Sequence, residues 1–209
     1  MGWLFFIAAL FSCAMFFNML QCLKRGDFVL RNRRLFNMLL SSLFLAIGMV
    51  FPFFTMQIKE IGDSLLPMHL PVMLCGLICG WEYGLTVGLL LPFLRSVLFS
   101  MPPLYPNAVW MALELAAYGA VIGFMYVRLR GWGIGAVYVS LVTSMVVGRL
   151  VWGVTKAFLL GIGGKSFPLQ AFFVGGFADA LPGIILQLLL VPSVFMIYRK
   201  LLVKNEGKA

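Results

Sequence analysis

Apolar stretches about as long as a bilayer crossing recur along the whole chain, each closed by a short cluster of charged or turn-forming residues. The pattern predicts six helices, over residues 35–54, 67–80, 85–101, 106–127, 134–160 and 171–198. The first is entered from the basic "RNRR" and left at the polar "TMQIKEIGDSLL"; the second is short, and "WEYG" separates it from the third. Every span reads as helix, because only helices and closed barrels satisfy the backbone in lipid and no alternating strand pattern appears. A further apolar segment, "GWLFFIAALFSCAMFFNMLQCL" at residues 2–23, reads as an extra uncleaved helix or a signal-like segment, and the helix is favoured since no small-residue cleavage site precedes the basic run. The expected organisation is a hydrophobic segment and basic linker over 1–30, a membrane domain over 31–200 and a cytoplasmic tail over 201–209.

Composition sets the solvent: 62% of the 209 residues are hydrophobic, 11% are charged, and the mean hydropathy is +1.02. This predicts an all-α integral membrane protein. No stretch outside the lipid is long enough for a separate soluble domain, so any ATPase or nucleic-acid module would be another polypeptide.

Charge then orients the spans. Lys24, Arg25, Arg31, Arg33 and Arg34 precede the first span, Arg128 and Arg130 follow the fourth, and Arg199, Lys200, Lys204 and Lys208 follow the sixth. That places eleven of sixteen basic residues on one side, which predicts a cytoplasmic C-terminus. The other side has Lys59 and Lys165, offset by Glu60 and Asp63. The net charge of +9 is thus a topology signal, and nucleic-acid binding loses support because the charges flank spans instead of forming one patch.

Four charges interrupt the apolar runs. At about 1.5 Å of rise per residue, Arg95 falls ~16 Å into the third span, Glu114 ~12 Å below the outer end of the fourth, Arg149 ~22 Å up the fifth and Asp179 ~12 Å below the outer end of the sixth. All four reach the outer half of the membrane. Each costs roughly 2.5–3.5 kcal/mol at a helix centre, and such residues face the bundle interior or a wet cavity. Helical spacing agrees: Asn107, Trp110, Glu114 and Tyr118 form one stripe, and Arg149, Trp152 and Lys156 another. Gly175, Asp179, Pro182 and Gly183 share a face, and Arg95 lies on the side of Gly84 and Gly88, small residues that let helices approach closely. Two readings stand: a ligand pocket of apolar wall and few polar groups, or structural ion pairs, Arg95 with Glu114 and Arg149 with Asp179. On the pocket reading Glu114 contacts ligand and Arg95 supports it.

Other motifs add little. "GIGGKSF" lacks the first glycine of a phosphate loop, where Leu159 stands, so the chain has no nucleotide site of its own. Cys75 and Cys79 share a helical face and could hold a metal with His69; packing beside Gly76 and Gly80 is the plainer reading, and no metal site is assigned. His69 reads as a pocket-lining residue at the outer mouth of the second span. No catalytic triad, HExxH or Asp-rich phosphotransfer motif appears, so no enzyme is predicted. Ser42 and Ala46 form a small-xxx-small patch that permits close helix contact, within the bundle or with a partner.

"RRLFNMLLSSLFLAIGMVFPFFT" and "LPMHLPVMLCGLICGWEYGLTVGLLLPFLRSVLFSMPPLYPNAVWMALELAAYGAVIGFMY" resemble the substrate-binding S component of energy-coupling factor (ECF) transporters, prokaryotic micronutrient importers, in its generic, substrate-unassigned form. The resemblance covers about residues 31–200; residues 1–30 depart from the family pattern. It implies a six-helix membrane bundle with both ends of that core in the cytoplasm, in the prokaryotic plasma membrane. It also implies an outer site for a water-soluble vitamin or related micronutrient, with residues 55–66 as lid and Glu114, Tyr118, Arg149, Trp152 and Asp179 as candidate contacts. Asn107, Arg95 and His69 complete the candidate set. Ser42 and Ala46 map onto the family's contact with a transmembrane coupling subunit, Ser standing for the usual Ala. Two cytoplasmic ATPases would use ATP, and this chain would bind no cofactor.

The competing reading is a stand-alone ion-coupled transporter or channel, with the charged layer as coupling site. No convincing inverted repeat relates the two halves. A third is an assembly protein whose charges only pair. The ligand's class stays open among a zwitterion, an acid pairing with Arg149, and a neutral ring stacked on Trp152.

Overall fold

In lipid the backbone has no water to bond, so each apolar run closes its own hydrogen bonds as a helix. A computed structural model describes residues 33–55, 68–100, 102–162 and 181–206. The extra N-terminal segment, residues 56–66 of the expected lid, Lys165 and Asp179 lie outside the described residues. Among those described there are six α-helices: α1 (Arg33–Thr55), α2 (His69–Cys79), α3 (Trp81–Phe99), α4 (Val109–Arg128), α5 (Ile134–Ile162) and α6 (Leu181–Glu206). Five apolar stretches are long enough to cross a membrane: Arg34–Phe51, Trp81–Phe99, Leu104–Arg128, Ile134–Gly161 and Leu181–Lys200. Their outward side chains, among them Val97, Val154, Phe158 and Leu189, are exposed apolar groups suited to lipid tails. The chain is a multi-pass membrane protein.

α2 is the exception, and it organises the rest. Eleven residues rise only ~16 Å, about half of the hydrocarbon thickness. Nine of the eleven are buried, and the helix packs against α1, α3, α4 and α6. A helix this short is stable at membrane depth because protein shields most of its surface.

The expected separator "WEYG" is instead the first turn of α3, which begins at Trp81. Gly80 alone makes the reversal: its φ of 109° lies where a side chain would be strained, and its carbonyl accepts the first helical bond from Gly84 N at 3.0 Å. The reversal brings Gly76 and Gly84 together, and α4 lays Gly119 between them. A Cβ on Gly119 would lie 2.3 Å from the Gly84 carbonyl oxygen, and one on Gly76 2.3 Å from that of Gly119. A Cβ on Gly88 would likewise lie 2.5 Å from the Leu115 backbone. Three helices thus touch backbone to backbone, the close approach small residues permit.

Between α3 and α4 the chain makes one π-type turn, Leu104–Ala108, closed by Ala108 N donating to Pro103 O at 3.0 Å and broken by extended backbone at Tyr105. α5 starts at the expected Ile134 after a 3-10 turn over Arg130–Trp132. α6 continues to Glu206, so residues 201–206 of the stretch read as a tail are helical. Phe36, Leu40, Leu43 and Phe44 of α1 pack with Val72, Cys75 and Cys79 of α2, while Leu70, Met73 and Leu77 on the other side of α2 pack with Tyr118, Leu141 and Val191.

Candidate functional site

The rotation of α4 is set by its glycine seam, and that rotation decides where its carboxylate goes. Leu115 and Gly119 face α3. Glu114, one residue earlier, is turned about 100° away, and Tyr118 follows it one turn on. Both meet α2 and α5 instead of α3.

Glu114 Oε1 accepts a hydrogen bond from Arg149 Nη1 of α5 at 3.2 Å. His69 Nε2, on the first residue of α2, lies 3.5 Å from the same oxygen, an electrostatic contact without hydrogen-bond geometry. The three side chains are only 2–5% exposed. Tyr118 closes the group edge-on to His69, with centroids 4.9 Å apart and planes at 81°. Its ring seats on Gly148 of α5, where an added Cβ would lie 2.6 Å away.

An aromatic and cationic arm extends from this cluster along α5. Arg149 Cζ lies 6.0 Å from the Trp152 ring, and Lys156 Nζ lies 4.5 Å from Trp152 and 5.5 Å from Trp110 of α4. Cations over indole faces gain from the ring quadrupole, most where water is excluded. In so dry a setting an unpaired charge is costly, so the shared placement of one carboxylate and one guanidinium lowers the cost of both.

His69, Glu114, Tyr118, Arg149 and Trp152 are therefore gathered, from α2, α4 and α5. Arg95 is not part of the group. It is 1% exposed, but its Nη1 donates to the Met49 carbonyl of α1 at 3.0 Å and its Cζ lies 5.8 Å from the Phe99 ring. The expected pair of Arg95 with Glu114 is replaced by Arg149 with Glu114, because Glu114 is rotated away from α3. Arg95 accordingly ties α3 to α1 and does not hold Glu114. Asn107 lies half-buried in the turn before α4. Asp179, expected opposite Arg149, lies outside the described residues.

Sequence reasoning missed Gln187 on α6, 1% exposed, whose Nε2 meets no hydrogen-bond partner among the described residues. The signal was present: one amide inside the apolar "GIILQLLLV". Cys75 and Cys79 sit in the apolar cluster with Phe36 and Val72, while His69 turns to Glu114. Among the described residues no three His, Cys, Asp or Glu side chains gather as metal ligands. Ser42 is exposed on the outside of the bundle, its hydroxyl returned to the Leu39 carbonyl at 2.8 Å, and Ala46 is half-buried.

A family model described as ECF transporter, substrate-specific component, matches residues 36–195. No curated protein and no solved structure matches the chain.

Proposed function

The chain belongs to the family of ECF transporter substrate-specific components, and from that membership we propose that it captures a water-soluble vitamin or related micronutrient at the outer face of a prokaryotic plasma membrane. The observation that carries the reading is the buried cluster in which Glu114 lies between Arg149 and His69. Glu114, Tyr118, Arg149, Trp152 and His69 are the core of the proposed site. Asn107, Asp179 and the loop 55–66 are its proposed rim and lid. Arg95 is assigned to the scaffold.

Delivery would need an ATP-driven module. The exposed stripe of Met38, Leu39 and Ser42, with Ala46 beside it, is the proposed contact of α1 with a transmembrane coupling subunit, itself driven by two cytoplasmic ATPases. The basic α6 end, with Arg199 and Lys200, supports a cytoplasmic C-terminus. Vesicles holding this chain with a coupling subunit and two ATPases should accumulate the ligand only when ATP is supplied. Uptake that persists without the ATPases would defeat the proposal.

A further inference from the structure

The strongest unexplained feature of the site is on Arg149. Its Nη1 is engaged by Glu114, yet among the described residues Nε and Nη2 meet no hydrogen-bond partner, although the residue is only 4% exposed. These two nitrogens are the side-on edge of the guanidinium. Their N–H groups point in parallel and match the two oxygens of a planar oxyanion. Leaving such donors unmet in a buried setting is expensive. The other unmet polar atoms in this part of the bundle are also nitrogens: both ring nitrogens of His69 and Nε2 of Gln187. Among the described residues, no acceptor oxygen meets the Arg149 edge or the Gln187 amide nitrogen.

Resting on the substrate-capture reading, we infer that the ligand carries a carboxylate, received as a two-bond fork by the Nε and Nη2 edge of Arg149. Glu114 is then a positioning residue: it takes Nη1 and so leaves the Nε and Nη2 edge for the ligand. Of the three classes open at the start, a zwitterion would bring the same carboxylate, but its ammonium would need an acidic partner other than Glu114, which already faces Arg149 and His69. A neutral ring would leave the fork unmet. A phosphate ester has the same fork geometry but carries about −1.5 to −2 charges. Arg149 already shares its single charge with Glu114, so a monoanion suits it better. Trp152, with Arg149 Cζ 6.0 Å from its ring, supplies an apolar wall beside the fork.

The test uses the full chain in lipid nanodiscs, the small-molecule fraction of yeast extract as probe, and native mass spectrometry as readout. The probe is offered untreated, after esterification in acidic methanol, after saponification of the esters, and after phosphatase. A ligand adduct is expected with the untreated fraction; esterification should cut it by about tenfold or more, saponification should restore it, and phosphatase should leave it unchanged. Arg149→Lys, which keeps the charge but loses the fork, should weaken the adduct by about tenfold or more. An adduct indifferent to esterification, or abolished by phosphatase, overturns the carboxylate while leaving substrate capture intact. Full retention by a folded R149K chain overturns Arg149 as its receiver. No adduct with any fraction overturns substrate capture itself. The esterification arm needs no variant, so a misfolded R149K chain would not protect the inference.

Discussion

Glu114→Leu removes the carboxylate from between Arg149 and His69 and leaves the guanidinium buried without its partner. At the 3.2 Å separation an effective dielectric constant of about 20 gives a pair attraction near 5 kcal/mol. Breaking one side of a buried pair costs about 3–5 kcal/mol in practice, because the survivor keeps its desolvation penalty. Arg149→Leu should cost a similar amount for the mirror reason. The double variant E114L/R149L removes both charges and should regain most of the loss, since apolar replacement of a whole buried pair is often neutral or better. Unfolding of the detergent-solubilised chain, titrated with SDS and followed by tryptophan fluorescence, measures all four corners of the cycle. Ligand capture, read in parallel, should be lost in the double variant despite its recovered stability. An E114L chain within about 1 kcal/mol of the parent, or a double variant as unstable as the sum of the singles, would refute the pairing.

Three further outcomes follow from the packing. Gly119→Ala drives a methyl to 2.3 Å from the Gly84 carbonyl and should destabilise by about 1–3 kcal/mol or more, whereas Gly161→Ala meets nothing within 4 Å and should not; equal unfolding midpoints would contradict the glycine seam. Arg95→Met removes the charged hydrogen bond to Met49 O and should cost about 1.5–3 kcal/mol of stability while leaving ligand affinity within about threefold; a loss of affinity without a loss of stability would return Arg95 to the site. Ser42→Trp places a large side chain on the exposed face of α1 and should spare ligand capture but abolish co-purification with the coupling subunit. An intact complex would move the docking surface elsewhere.

Much of the buried cluster was legible as a set of residues but not as a set of partners. Glu114, Tyr118, Arg149 and Trp152 stand out because a polar or amphipathic group in an apolar helix is costly, and spacing puts them on shared stripes. The partner of Glu114 was misread: depth alone made Arg95 and Arg149 equivalent, since both fall in the same layer. His69 showed only as a lone histidine, and its place beside Glu114 depends on α2 starting where α4 and α5 converge. Gln187 was passed over because its polarity is slight beside that of a full charge.

What the amino-acid order by itself determined is what depends on local composition: residence in lipid, helical spans bounded by basic clusters, the family, and a layer of costly polar groups. Hydropathy and the 3.6-residue period act within one helix, so they can be read along the chain. The tertiary structure decided everything that depends on one helix's rotation against another. The seam of Gly76, Gly84 and Gly119 locks α4 at one angle, which gives Leu115 to α3 and Glu114 to Arg149 and His69. A turn of about 100° separates those two neighbours, and only backbone contact between helices settles which way each one points.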